Sequence, residues 1–225
     1  MKNIYKKLVR VMAVAAVALG LSSCLEKIPG DYIPETESMN SLNGAEQVLT
    51  GIYTAYMSSG LYSGYLTLCP DVQSDLVYAV QGNSNTLGNI WQWDIRSTNS
   101  EVESVYAALY RVIGRCNFFL DQVDELRASM TDDESIQTLD YYTGEVYCAR
   151  GLAYSELIKC FCKAYDPATA KDELGVVLAD TYFGEKPVKR ASLFDSYQFV
   201  ISDLEKAEEL LEADYDSYDA PYFTH

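Results

Sequence analysis

From Leu42 onward, apolar residues return at every third or fourth position: Ala45, Val48, Leu49, Ile52, Tyr53 and Tyr56. That spacing predicts an amphipathic helix, with Gly60 as its stop. Ser100 and Glu103 match a capping box, and Val102, Tyr106, Leu109, Ile113, Cys116, Leu120 and Val123 then share one face of a second helix. Thr131 with Glu134 predicts the cap of a third, carrying Ile136, Leu139, Val146, Ala149, Ala153, Leu157 and Phe161 and running to about Tyr165, where Asp166-Pro167 ends it. Glycine costs about 1 kcal/mol inside a helix, so Gly144 and Gly151, with Ala149 and Ala153, predict close approach of a neighbour and packing on both sides. Ser192 with Asp195 predicts a fourth helix, with Leu193, Tyr197, Val200, Ile201, Leu204 and Leu211 inward and Glu205, Glu208, Glu209 and Glu212 in solvent. Residues 60–99 and 166–191, rich in Gly, Pro, Asn and Ser, read as long irregular loops. The expected fold is mainly α, with tetratricopeptide-like helical hairpins and long irregular loops, although no strict repeat of about 34 residues is visible.

The first residues follow a different pattern. Lys2, Lys6, Lys7 and Arg10 precede an apolar run from Val11 to Leu21. Crossing a bilayer takes about 20 apolar residues, and this run has roughly half that, so residues 1–23 read as a signal peptide. Leu21-Ser22-Ser23-Cys24 resembles a bacterial lipobox, which would make Cys24 the lipidated first residue of the mature chain. Acyl chains add about 0.8 kcal/mol per buried methylene, so the membrane would be reached through the anchor only. A plain secretory signal followed by a chance cysteine is the alternative. Residues 24–40, with Pro29, Gly30 and Pro34, show no apolar period and read as an extended tether.

Charge narrows the partners. The chain carries −16 in total, and loss of the four basic signal residues would take the remainder to −20. Such a body repels nucleic acid and anionic lipid. Beyond Cys24 there are five cysteines, Cys69, Cys116, Cys148, Cys160 and Cys162, odd in number, irregularly spaced and read mostly as buried thiols. The single histidine is His225, so no zinc-type cluster can be assembled, and no metal or cofactor is expected. Nor is there a nucleophile elbow, a P-loop or a dinucleotide fingerprint. Among 33 acidic residues, paired carboxylates of the glycosidase kind will arise by chance, so the expectation is a binding protein, not an enzyme.

The loop Trp91-Gln92-Trp93-Asp94-Ile95-Arg96 holds both tryptophans of the chain. A sugar's C–H face stacks on an aromatic ring while nearby polar side chains bond its hydroxyls. Trp91, Trp93, Asp75 and Arg96 are therefore the ligand-binding candidates. The competing reading has both rings anchoring the loop to the core; alternation of the two suggests one ring inward and one outward.

In their order, these features resemble the SusD/RagB family of outer-membrane nutrient-binding lipoproteins of Bacteroidetes. The carrying segments are the lipobox; Asn43-Gly44-Ala45-Glu46-Gln47-Val48-Leu49-Thr50-Gly51-Ile52-Tyr53; Ser74-Asp75; and Tyr106-Ala107-Ala108-Leu109-Tyr110-Arg111-Val112-Ile113-Gly114-Arg115-Cys116-Asn117. Gly144-Glu145-Val146-Tyr147-Cys148-Ala149-Arg150-Gly151-Leu152-Ala153-Tyr154 and Ser202-Asp203-Leu204-Glu205-Lys206-Ala207 follow. Members often have Trp where this chain has Tyr106. The resemblance implies a lipid-anchored, surface-exposed protein that captures a glycan oligomer and passes it to a SusC-like TonB-dependent transporter. A RagB-like peptide binder, a glycosidase and a helical-repeat scaffold are the alternatives. Members are usually more than twice as long, and Pro221-Tyr222-Phe223-Thr224-His225 resembles the approach to a next repeat helix. Residues 41–225 are thus expected to be the amino-terminal helical region of such a protein, cut before that helix.

Overall fold

The computed structural model describes residues 38–211 except 79, 81, 83–85, 186 and 188. The expected signal peptide, Cys24, most of the tether, Glu212 and the last residues lie outside the described part. Seven helices occur there in order: α1 (Leu42–Tyr56), α2 (Tyr65–Gln73), α3 (Gly88–Trp91), α4 (Ser100–Leu120), α5 (Val123–Ser129), α6 (Asp133–Phe161) and α7 (Leu193–Leu210). None of the helices described is long and apolar enough to cross a membrane.

The longest helix, α6, organises the rest, packing on α7, α4 and α1. Its buried residues go round the helix: Leu139, Val146, Ala149, Ala153 and Leu157 are joined by Glu145, Arg150 and Glu156. Packing on both sides follows, as the glycines predicted. A methyl group on Gly144 would stand 3.0 Å from Leu211 Cγ, and one on Gly151 would stand 3.2 Å from Leu204 Cδ2, so both glycines admit the far end of α7. Ser192 caps α7 by accepting from the Asp195 amide at 3.0 Å, as its sequence predicts.

One polar cluster ties three helices together. Arg150 on α6 donates from Nε and Nη2 to the two carboxylate oxygens of Asp203 on α7, each at 2.7 Å, and from Nη1 to Asn117 Oδ1 on α4 at 2.8 Å. The two charged side chains are only 6% and 2% exposed. Phe199 lies against the guanidinium, 5.1 Å from its carbon to the ring centre. Burial works against the charged guanidinium, but the bonds from Asp203 outweigh it and raise the Arg150 pKa.

Tyrosines secure the connection between α6 and α7. The Tyr110 hydroxyl donates to the Val177 carbonyl at 2.9 Å and accepts from the Val177 amide at 3.1 Å. Tyr154 does the same for Ala179, at 2.7 Å each way, and Asn117 Nδ2 adds a bond to the Ala179 carbonyl at 2.8 Å. Arg190 donates to the carbonyls of Phe161 and Leu174, tying off the end of α6.

Several sequence expectations are corrected. Residues 60–99 are not irregular throughout: α2 and α3 lie inside them. Pro70 sits within α2; proline already has a helical φ and loses one amide bond, which this short helix survives. Neither Ser100 nor Thr131 is a cap. Asn99 precedes α4 and its side chain accepts instead from the Arg96 amide at 2.5 Å. Asp132 caps α6, accepting from the Ser135 amide at 2.8 Å. The second predicted helix breaks at Asp121-Gln122 into α4 and α5, and the third ends at Phe161, short of Tyr165. Tyr106 is 40% exposed and leans on Tyr110 and Phe161, while Val105, Ala108 and Val112 take the core face. Ile201 and Leu204 are exposed, and Ser196, Asp203 and Ala207 occupy the buried side of α7 instead. Cys116 is the one buried thiol among the five described, all of them free; Cys160 is exposed and the others are half-buried.

Candidate functional site

The loop carrying both tryptophans is built on left-handed turns. Asp75 (φ 58°), Leu87 (φ 60°) and Trp93 (φ 58°) are non-glycine residues in that region. Aspartate tolerates it, whereas leucine and tryptophan are held there at some energetic cost. Leu87 leads into α3, so the helix of one turn is aimed by this turn, and Trp91 is its last residue. The Trp93 amide closes back on the Ile90 carbonyl at 3.1 Å and the Asp94 amide on the Asn89 carbonyl at 2.9 Å. These bonds fix the ring of Trp93 outside the turn, 65% exposed.

Trp93 stands beside a groove of about 570 Å³ lined from α2, α3, α4 and the last turns of α6. Tyr65, Ile95 and Phe161 share its walls with Trp93; Leu66, Ile90 and Val105, all buried, form its floor. Polar groups gather where α6 ends. Lys159 donates to Glu156 Oε1 at 2.6 Å, and the Tyr62 hydroxyl reaches the same oxygen at 3.1 Å. Burial and then Glu101 push the Cys69 thiol on this groove up to about 11, so it is a neutral S–H at ordinary pH. The groove combines an apolar floor, aromatic walls and one charged edge. This is suited to a ligand with both C–H faces and hydroxyls.

The four sequence candidates separate into three places. Trp91 is half-buried and donates from Nε1 to Asp75 Oδ1 at 3.2 Å, with the Tyr78 ring 6.4 Å away. Trp93 lines the groove. Arg96 pairs with Asp94 at 2.8 Å, both well exposed, and is not among the described lining residues. Tyr65, Phe161 and Lys159 were not among the candidates. They come to the groove from α2 and from the end of α6, and only the tertiary fold brings those segments to the tryptophan loop.

The structure is a paired-helix body with an aromatic groove walled by its helices and the tryptophan loop, and the comparisons give it a family. Residues 25–225 match the SusD-like family model described as starch-binding, associating with the outer membrane. The chain belongs to this SusD-like family. Among solved structures, a protein from Bacteroides vulgatus described as sugar binding is 28% identical with a TM-score of 0.64, over 80% of this chain and 39% of that one. A SusD homolog from Bacteroides thetaiotaomicron is 23% identical with a TM-score of 0.67, over 84% of this chain and 35% of that one. A SusD-like carbohydrate binding protein from Bacteroides vulgatus is 20% identical with a TM-score of 0.64, over 82% and 39%. The chain therefore spans between 35% and 39% of the length of these three structures. No curated protein matched.

Proposed function

We propose that this chain is part of a cell-surface lipoprotein that captures a glycan oligomer in the Trp93 groove and delivers it to a SusC-like TonB-dependent transporter in the outer membrane. In this reading residues 1–23 are a signal peptide, Cys24 carries the lipid, residues up to 40 form a tether and the remainder is the helical body. The observation that carries the proposal is Trp93 itself, a large apolar ring held in solvent by a left-handed turn at the edge of an aromatic groove. Trp93 and Ile95, both exposed, extend the apolar surface of the groove, and contiguous apolar patches of this kind mark interaction sites. Membership of a family described as starch-binding supports a glycan over a peptide. Binding without turnover belongs to the same proposal. Glu156 is the one carboxylate among the described lining residues of this groove, and hydrolysis by paired carboxylates takes two.

An array of glycans and peptides, followed by calorimetry with the strongest glycan, tests the reading. Trp93→Ala is expected to cost about 1–3 kcal/mol of binding, the scale of losing an aromatic anchor, with helical content unchanged. Peptides retained in place of glycans would overturn the ligand class. Unchanged glycan affinity in the variant would remove this groove from the site.

A further inference from the structure

A second cavity, of about 520 Å³, opens between α1 and the first half of α6. It shares no lining residue with the Trp93 groove. On α1, Glu46, Thr50 and Tyr53 recur at the spacing of one helix face, and on α6 so do Glu134, Thr138, Tyr141 and Glu145. Tyr142 adds a third phenol ring. The wall thus carries three carboxylates and three aromatic rings, and no lysine or arginine is among its described lining residues.

Glu145 sets this cavity apart from a solvated acidic face. It is 2% exposed, yet it lines the cavity. The Tyr53 hydroxyl donates to its Oε2; Oε1 takes no hydrogen bond from a described residue, and no described cation pairs with the group. A buried carboxylate ordinarily has its charge matched. We propose that this cavity binds a compact molecule bearing a primary ammonium group, an amino sugar or a lysine-type amine, with Glu145 accepting its N–H bonds. Glu46 and Glu134 add long-range attraction at the mouth, and Tyr53, Tyr141 and Tyr142 line the same wall. Burial pushes the Glu145 carboxyl up to about 7 against the opposing bond from Tyr53. Burial thus favours the neutral carboxyl, and an arriving cation favours the carboxylate.

Isothermal titration of the whole chain at pH 7.5 with glucosamine, Nα-acetyl-lysine amide and glucose tests this directly. At least one amine is expected to bind ten times more tightly than glucose, and which one does so distinguishes the sugar source from the amino-acid source. Glu145→Gln keeps the shape and removes the charge, and is expected to weaken the amine at least tenfold. The double variant Glu46→Gln with Glu134→Gln alters exposed residues only, and is expected to weaken it severalfold whether or not Glu145→Gln folds. Repeating the titrations in the Trp93→Ala variant takes the other groove out of the comparison, and the preference for the amine over glucose is expected to persist there. Glucose binding as tightly as the amines, no amine binding, or full affinity in the Gln variants would each overturn the proposal.

Discussion

Replacing Asp203 by Ala removes both acceptors of the paired bonds from Arg150 and leaves a guanidinium with 6% exposure facing apolar neighbours. Asn117 Oδ1 remains as a single partner at 2.8 Å. Orphaning one member of a buried ion pair costs about 3–5 kcal/mol, because the remaining charge has neither water nor counter-ion. For a domain of roughly 150–250 residues, each kcal/mol moves the midpoint by about 2–4 °C. Asp203→Ala is therefore expected to melt roughly 6–20 °C below the parent, with urea unfolding giving the free energy directly. The pair is a different matter from its halves. Arg150→Met with Asp203→Leu removes both charges and is expected to recover most of the loss, since a well-packed apolar replacement of a buried pair is often neutral or stabilising. A loss below about 1 kcal/mol for Asp203→Ala would mean that the pair is solvated and contributes as a surface bridge does. The explanation of how α4, α6 and α7 are joined would then fail.

Cys24→Ala is expected to leave a larger, unprocessed species or to release protein into the soluble fraction; membrane retention with unchanged gel mobility would refute the lipid anchor. Trp91→Ala loses the bond to Asp75 at a partly solvated position, so a stability loss of only about 1 kcal/mol is expected, with less effect on glycan binding than Trp93→Ala; the reverse order in calorimetry would exchange their roles. Glu145 has its pKa raised from 4.5 to about 7 by burial, so the folded state holds its proton more tightly than the unfolded one. Its contribution to stability is complete below about 4.5 and is lost as pH rises through about 7. Urea midpoints at pH 5 and pH 7.5 should show that fall in the parent and a smaller one in Glu145→Gln; equal slopes would show that the carboxyl is not shifted.

Local signals in the sequence were reliable where the cause was local. The Ser192 cap depends on a hydroxyl and an amide three residues apart, and it forms as read. Gly144 and Gly151 announced a close neighbour because a glycine in a helix has few other uses. The failures have equally definite causes. Ser100 and Thr131 each had a polar neighbour one residue away: Asp132 takes the cap of α6, and Asn99 stands before α4 but turns its side chain to the Arg96 amide. Pro70 looked like a loop marker, although its fixed φ also fits a helix. Arg150 and Asp203 lie 53 residues apart, and nothing in either segment reveals that both are buried. The site shows the same division. Trp93 stood out by residue type, whereas Phe161 and Lys159 looked like the ordinary end of a helix until the fold carried them to it.

The segment around Val177 and Ala179 counts as coil, yet its alternate residues are paired, amide and carbonyl together, by the phenols of Tyr110 and Tyr154. That two-residue rhythm is the one a β-strand shows to its neighbour. Two side chains here stand in for a missing strand, and they saturate one edge of an extended segment that would otherwise be open to pairing with another chain. Amide exchange at positions 177 and 179 should accordingly be slow, as in a sheet, although no sheet is there.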